Sequence, residues 1–189
     1  WSAVKRIMRY IRESAEFGVM YVQGEQSELM GYSDSDWAGD LDDRKSTSGY
    51  VFLLSGAAVS WRSKKQSCVA LSTAEAEYMA LASASQESVW MERLVSSIIT
   101  GIDTSKGIVI FEDNQSAIGM SEHQSYHGRT KHVDIKYHFI REQVAANRVR
   151  LRYCKSCDMI ADILTKAGRM WAAMWAAIQE ASGSDGNGP

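Results

Sequence analysis

Three runs decide the fold: Leu29-Met-Gly-Tyr-Ser-Asp-Ser-Asp36, Gly49-Tyr-Val-Phe-Leu-Leu-Ser55 and Ala58-Val-Ser-Trp-Arg-Ser-Lys64. Each is short and rich in aliphatic, β-branched or aromatic residues, the composition that suits a pleated, half-buried surface. A polar loop, residues 39–48, separates the first two. Ser55-Gly56 supplies a tight turn between the second and third. The simplest arrangement is a meander of three strands.

Working outward toward the C-terminus, Ser72-Thr73-Ala74-Glu75 is a capping box with Ser72 as the cap. A long helix should follow to about residue 100, with Gly101 as its stop. Ile108-Val-Ile-Phe111 reads as a buried strand within residues 107–112, and residues 114–120 as a short helix. Residues 129–146 place Val133, Tyr137, Ile140 and Val144 on one helical face. Residues 148–153 alternate Arg148, Arg150 and Arg152 with Val149, Leu151 and Tyr153, which predicts a half-buried strand with a basic outer face. Residues 158–166 and 170–181 read as helices, the latter with an apolar stripe of Met170, Met174 and Ile178, and residues 182–189 as a flexible tail. Toward the N-terminus, Val4, Ile7, Met8 and Ile11 recur at helical spacing in residues 1–13, and a loop with a short extended piece spans residues 14–27. The order of three strands, helix, strand, helices, strand and helix is an α/β class: a mixed sheet with helices on its faces.

The bulk numbers bound the function. A chain of 189 residues with 45% apolar content builds one core with short flanks. Its formal net charge of −2 excludes a generic polyanion binder, so nucleic-acid contact must come from local patches. Three cysteines argue against a disulfide scaffold and for a reducing compartment. No apolar run is long enough to span a membrane. The helical look of the first residues, which begin with Trp1, predicts that the chain is part of something longer.

Acids at strand ends and helix starts are candidates for a shared site. Asp34 ends the first strand, Glu77 opens the long helix, Asp113 follows the fourth strand and Asp162 sits on a late helix. Hard divalent cations prefer such oxygen donors, and a pair of them can stabilise both the attacking and the leaving oxygen of an in-line displacement. Asp36 shares the strand face of Asp34 by the period of two, so position alone does not separate them. Glu75 and Glu77 do separate: they point to nearly opposite sides of the helix, and the capping box accounts for Glu75.

Six motifs then appear in order: Tyr32-Ser-Asp-Ser-Asp-Trp-Ala-Gly-Asp40, Lys45-Ser-Thr-Ser-Gly-Tyr50, Leu71-Ser-Thr-Ala-Glu-Ala-Glu-Tyr-Met-Ala80, Glu112-Asp-Asn-Gln-Ser-Ala-Ile118, Arg129-Thr-Lys-His-Val-Asp134 and Ala161-Asp-Ile-Leu-Thr-Lys166. Together they resemble the ribonuclease H (RNase H) domain of copia-type retrotransposon Pol polyproteins. The resemblance implies an RNase H-like fold, a five-stranded mixed sheet flanked by helices. It implies Asp34, Glu77, Asp113 and Asp162 as the metal-binding catalytic acids, two Mg²⁺ ions for which Mn²⁺ can substitute, and an RNA–DNA hybrid as substrate during reverse transcription. It also divides the chain into the end of a connection to an upstream reverse transcriptase domain (residues 1–24), the RNase H domain (25–168) and a C-terminal helix and tail (169–189). The expected place is the cytoplasm, in the element's virus-like particle, or the nucleus. One departure is that Tyr153-Cys-Lys-Ser-Cys-Asp158 lacks the loop histidine that many relatives carry before the last aspartate.

Two basic clusters are candidate phosphate contacts: Arg62 and Lys64 near Trp61, and Arg129, Lys131 and His132. Ser33 is a further hydroxyl donor toward nucleic acid. Trp61 and Cys68 are expected in the core. His123, His127, Cys154 and Cys157 match a zinc-finger-like spacing, but the predicted elements put the two pairs on different connections. The competing reading of the whole is a catalytically silent binding or scaffold module from a decayed element.

Overall fold

In a computed structural model, which describes residues 1–19, 28–122 and 134–166, the three early runs form β1 (Leu29–Ser35), β2 (Thr47–Leu54) and β3 (Ala57–Lys65). They pair antiparallel in sequence order. Ser55 and Gly56 both take positive φ, 51° and 80°, the backbone of a two-residue hairpin whose twist matches its strands. β2 begins two residues before the expected Gly49, because Thr47 and Ser48 pair with Lys65 and Lys64.

Helix α2 (Thr73–Ile98) starts where its cap predicts. The Ser72 hydroxyl accepts from the Glu75 N–H at 3.2 Å, and the Glu75 carboxylate accepts from the Leu71 N–H at 2.7 Å. The chain continues through β4 (Ile108–Glu112), α3 (Gln115–Glu122), α4 (Asp134–Ala145) and β5 (Val149–Tyr153). Both late strands run parallel to their neighbours, and the sheet order is β3-β2-β1-β4-β5. A five-stranded mixed sheet with helices is therefore observed, as the sequence predicts.

The period-two alternation sorts the core. Tyr50, Phe52, Ile108, Ile110 and Val149 face α2 and pack with Tyr78, Leu81, Met91 and Val95. The opposite face is smaller: Val51, Met159 and Ala161 with Tyr32, Leu53 and Leu164. That second cluster explains a correction. The predicted helix over residues 158–166 is replaced by one 3-10 turn (Ser156–Asp158) and a short α5 (Asp162–Thr165). Burying Met159 and Ala161 against the sheet draws the chain down before a helix can start. Residues 170–181 and 182–189, and the start of the helix predicted over 129–146, lie outside the described residues.

Two further expectations change. Trp61 lies on the face opposite Arg62 and is 63% exposed, so it is no core residue. The arginines of the basic face are partly engaged: Arg148, just before β5, makes an ion pair with Glu92 of α2 at 2.6 Å, and Arg150 donates to the Gly107 carbonyl at 3.2 Å. Cys68, half-buried, packs against the main core as expected. In α1 (Ser2–Glu13) the side chains of Val4, Ile7, Met8 and Ile11 are exposed.

Gly49 shows how tightly α5 is seated. It pairs with Asp34, and a Cβ there would lie 2.8 Å from Thr165 Cγ2 and 2.9 Å from the Leu164 Cβ. Gly49→Val is expected to lower stability by about 1–3 kcal/mol through overpacking. Urea unfolding measures this; a drop below roughly 0.5 kcal/mol would mean that α5 does not rest on β2.

Candidate active site

β1 and β4 are parallel neighbours in the register Tyr32↔Phe111, and these two rings stack with centroids 4.9 Å apart. Two residues past this pair come Asp34, on β1, and Asp113, the first residue after β4, at the same end of the sheet. Glu77 reaches the same point from α2. One carboxylate oxygen from each of Asp34, Glu77 and Asp113 lies within 4.8 Å of the others. Asp162 stands beside this trio at the start of α5. Lys166 ties it to Asp34, donating to the Asp162 carboxylate and, at 3.3 Å, to Asp34 Oδ1.

Neighbouring hydroxyls orient the acids. Thr165 donates to Asp34 Oδ2, and Ser156 donates to Asp113 Oδ2 at 2.6 Å. Asp36, which shares a strand face with Asp34 in sequence terms, lies just beyond the end of β1. Its carboxylate accepts the Thr47 N–H and so closes the β1–β2 loop. Asp158 is exposed.

Glu112 is not among the acids that the sequence singles out, yet it is fully buried. It continues the inward parity of Ile108 and Ile110 and so lies under α2. One of its oxygens accepts from the Asn114 N–H at 3.1 Å, and the other has no hydrogen-bond partner. Strand parity is the signal that could have found it. Lys166 is also readable, as the residue four past Asp162 on a helix. Thr165 and Ser156 carry no signal, because their roles exist only once distant segments meet.

So many acids in so little water repel one another. Burial, with Asp162 adding to it, pushes Asp34 up to about 6, against the opposing pull of Thr165 and Lys166. Burial and the charges of Asp34 and Asp113 push Glu77 up to about 9. Glu112 is raised well above the usual carboxylate range by burial and then by Glu77. Burial, and then the charges of Asp113, Glu112, Asp158 and Asp162, push the Cys154 thiol up to about 11, which makes it a poor thiolate ligand. The other members of the zinc-like spacing, His123 and His127, lie outside the described residues.

Of the expected nucleic-acid contacts, Arg62 and Lys64 are exposed on β3, where with Ser67 and Gln86 they line a groove against α2. Ser33 is corrected: its side chain is fully buried beneath α2 and offers no surface to a ligand. Arg129, Lys131 and His132 lie outside the described residues.

Comparison with known proteins places this geometry. No protein-family model matches the sequence. A retrovirus-related Pol polyprotein from the Nicotiana tabacum transposon TNT 1-94 is 44% identical over 166 residues, 88% of this chain. One from the Arabidopsis thaliana transposon RE2 is 40% identical over the same share. The chain is similar to one segment of these retrovirus-related Pol polyproteins. It spans 12% and 11% of the length of these two relatives. Among solved structures, an RNase H1 isolated from compost by a metagenomic approach superposes with a TM-score of 0.54. That match covers 78% of this chain and 99% of the other at 13% identity, which shows the fold to be that of RNase H. Among the described residues, no helix is long and apolar enough to cross a membrane.

The raised carboxylates predict how stability depends on pH. Between the ordinary carboxylate range and the folded values of about 6 for Asp34 and about 9 for Glu77, the folded state binds more protons than the unfolded state. Stability therefore falls as pH rises through that window. Thermal unfolding across a pH series should show a falling Tm without divalent ions, and added Mg²⁺ should oppose the fall. A Tm that rises or stays level toward alkaline pH would contradict the clustering.

Proposed function

We propose that this chain is an active RNase H of a copia-type element, hydrolysing the RNA strand of RNA–DNA hybrids during reverse transcription. The observation that carries the proposal is the convergence of Asp34, Glu77 and Asp113 within 4.8 Å, with Asp162 linked to Asp34 through Lys166. The donor set is all oxygen, as Mg²⁺ prefers. A buried oxygen of Glu77 has no hydrogen-bond partner, and burial together with the charges of Asp34 and Asp113 raises its carboxyl. Both features fit a divalent cation, so Asp34, Glu77, Asp113 and Asp162 would hold two Mg²⁺ ions, or Mn²⁺ in their place. When bound, such ions lower the pKa of a water and offset charge on the scissile phosphate.

The protein's own part is orientation. The parallel register sets Asp34 beside Asp113, while Thr165 holds one oxygen of Asp34, Lys166 reaches the other, and Ser156 holds one oxygen of Asp113. Water would add to phosphorus as the bond to the 3′-oxygen breaks, leaving 5′-phosphate and 3′-hydroxyl ends. The hybrid is read by shape through its phosphates and 2′-hydroxyls, to which Arg62 and Lys64 would contribute from β3. An upstream reverse transcriptase domain would be the partner in the same polyprotein, acting in the cytoplasmic virus-like particle or the nucleus.

Cleavage of a labelled hybrid in Mg²⁺ tests the site. The unaltered chain should cut the RNA strand, and Asp113→Asn should lower the rate by at least about a hundredfold. Folded protein that binds hybrid but leaves it intact with either ion would favour the silent-scaffold reading. Arg62→Ala with Lys64→Ala should weaken hybrid binding and flatten the slope of log affinity against log salt by about one for each phosphate no longer neutralised. An unchanged slope would remove both residues from the interface.

A further inference from the structure

The four acids are not equally ready for a cation. Asp34, Glu77 and Asp113 already present mutually close oxygens, and Asp162 is absent from that trio. Its Oδ1 is taken by the Lys166 ammonium, which also reaches Asp34 Oδ1 at 3.3 Å. Thr165 holds the other oxygen of Asp34, so Oδ1 is the oxygen that Lys166 shares. The two carboxylates are almost fully buried, whereas the Lys166 side chain is 35% exposed. An ammonium on a flexible four-carbon stem is a compact, mobile charge, and here it has a way out to solvent.

We infer that Lys166 is a tethered cation standing in for a divalent ion between Asp34 and Asp162, and that it must swing away before that half of the site fills. The inference rests on the two-ion reading above and goes beyond it. It makes Lys166 a positioning residue that sets the order of binding. The open trio fills first, and the Asp34–Asp162 half fills second, in competition with the lysine. It also gives the ion-free fold a counter-charge for a cluster that would otherwise repel itself, since a buried charge left without a partner is costly.

Titration of the full chain with Mg²⁺ by calorimetry, and with Mn²⁺ by the spin resonance of the free ion, tests this without catalysis. The unaltered chain should bind one ion tightly and one weakly. Lys166→Met should tighten the weak step about tenfold or more and leave the tight step within about twofold. Asp162→Asn should remove the weak step in either background. Lys166→Met should also lower the ion-free Tm and enlarge the gain in Tm on adding Mg²⁺. If Lys166→Met does not fold, Lys166→Gln keeps a hydrogen bond to Asp162, removes the charge and is expected to tighten the weak step likewise. A weak step that is unchanged or weaker in the lysine variant overturns the role of Lys166 while the two-ion reading stands. An unaltered chain and variants that bind no ion at all overturn both.

Discussion

The parallel pairing of β1 with β4 at the centre of the sheet is the constraint on which the rest depends. These strands are far apart in sequence, and the crossover between them contains β2, β3 and the whole of α2. Once they pair with Tyr32 against Phe111, Asp34 and Asp113 emerge at the same end of the sheet, two residues past the pair. The crossover also decides where α2 lies, and so brings Glu77 to the same end of the sheet. Parallel strands need a covered face on each side. Here α2 covers one, and the segment around Met159 and Ala161 covers part of the other and carries Asp162 with it.

This geometry gathers negative charge where water is scarce. Burial first, and repulsion between the acids second, hold Asp34, Glu77 and Glu112 above the usual carboxylate range. Local donors offset some of it: the Thr165 and Ser156 hydroxyls, the Asn114 N–H and the Lys166 ammonium. On the proposed two-ion function, the site would trade stability for cation affinity, as sites built for hard ions do. Asp36 stands apart from Asp34 for a related reason. It commits its carboxylate to the Thr47 backbone at the mouth of the β1–β2 loop, where it keeps that loop closed beside the cluster.

Much was legible in the chain because it is written locally. The alternation of Ile108 and Ile110, the capping box at Ser72 and the tight turn at Ser55-Gly56 each depend on a few adjacent residues, and the elements formed where those signals lie. Errors arose where tertiary packing overrides local preference. Residues 158–166 have helical character, but burial of Met159 and Ala161 delays the helix to Asp162. Trp61, expected in the core for its size, sits on an edge strand facing away from Arg62. Ser33 follows the parity of the buried face of β1 and so is sealed under α2.

By itself the sequence determined the element types, their order and the short list of acids, because propensity, capping and side-chain period act over a few residues. By position along the strand it left Asp34 and Asp36 equivalent until the motif resemblance chose Asp34; it passed over Glu112 and could not show that Lys166 lies between Asp34 and Asp162. The last two matters were decided only by the tertiary structure. Which carboxylate stays free depends on contacts between segments more than a hundred residues apart, and such contacts exist only after the sheet has closed the distance.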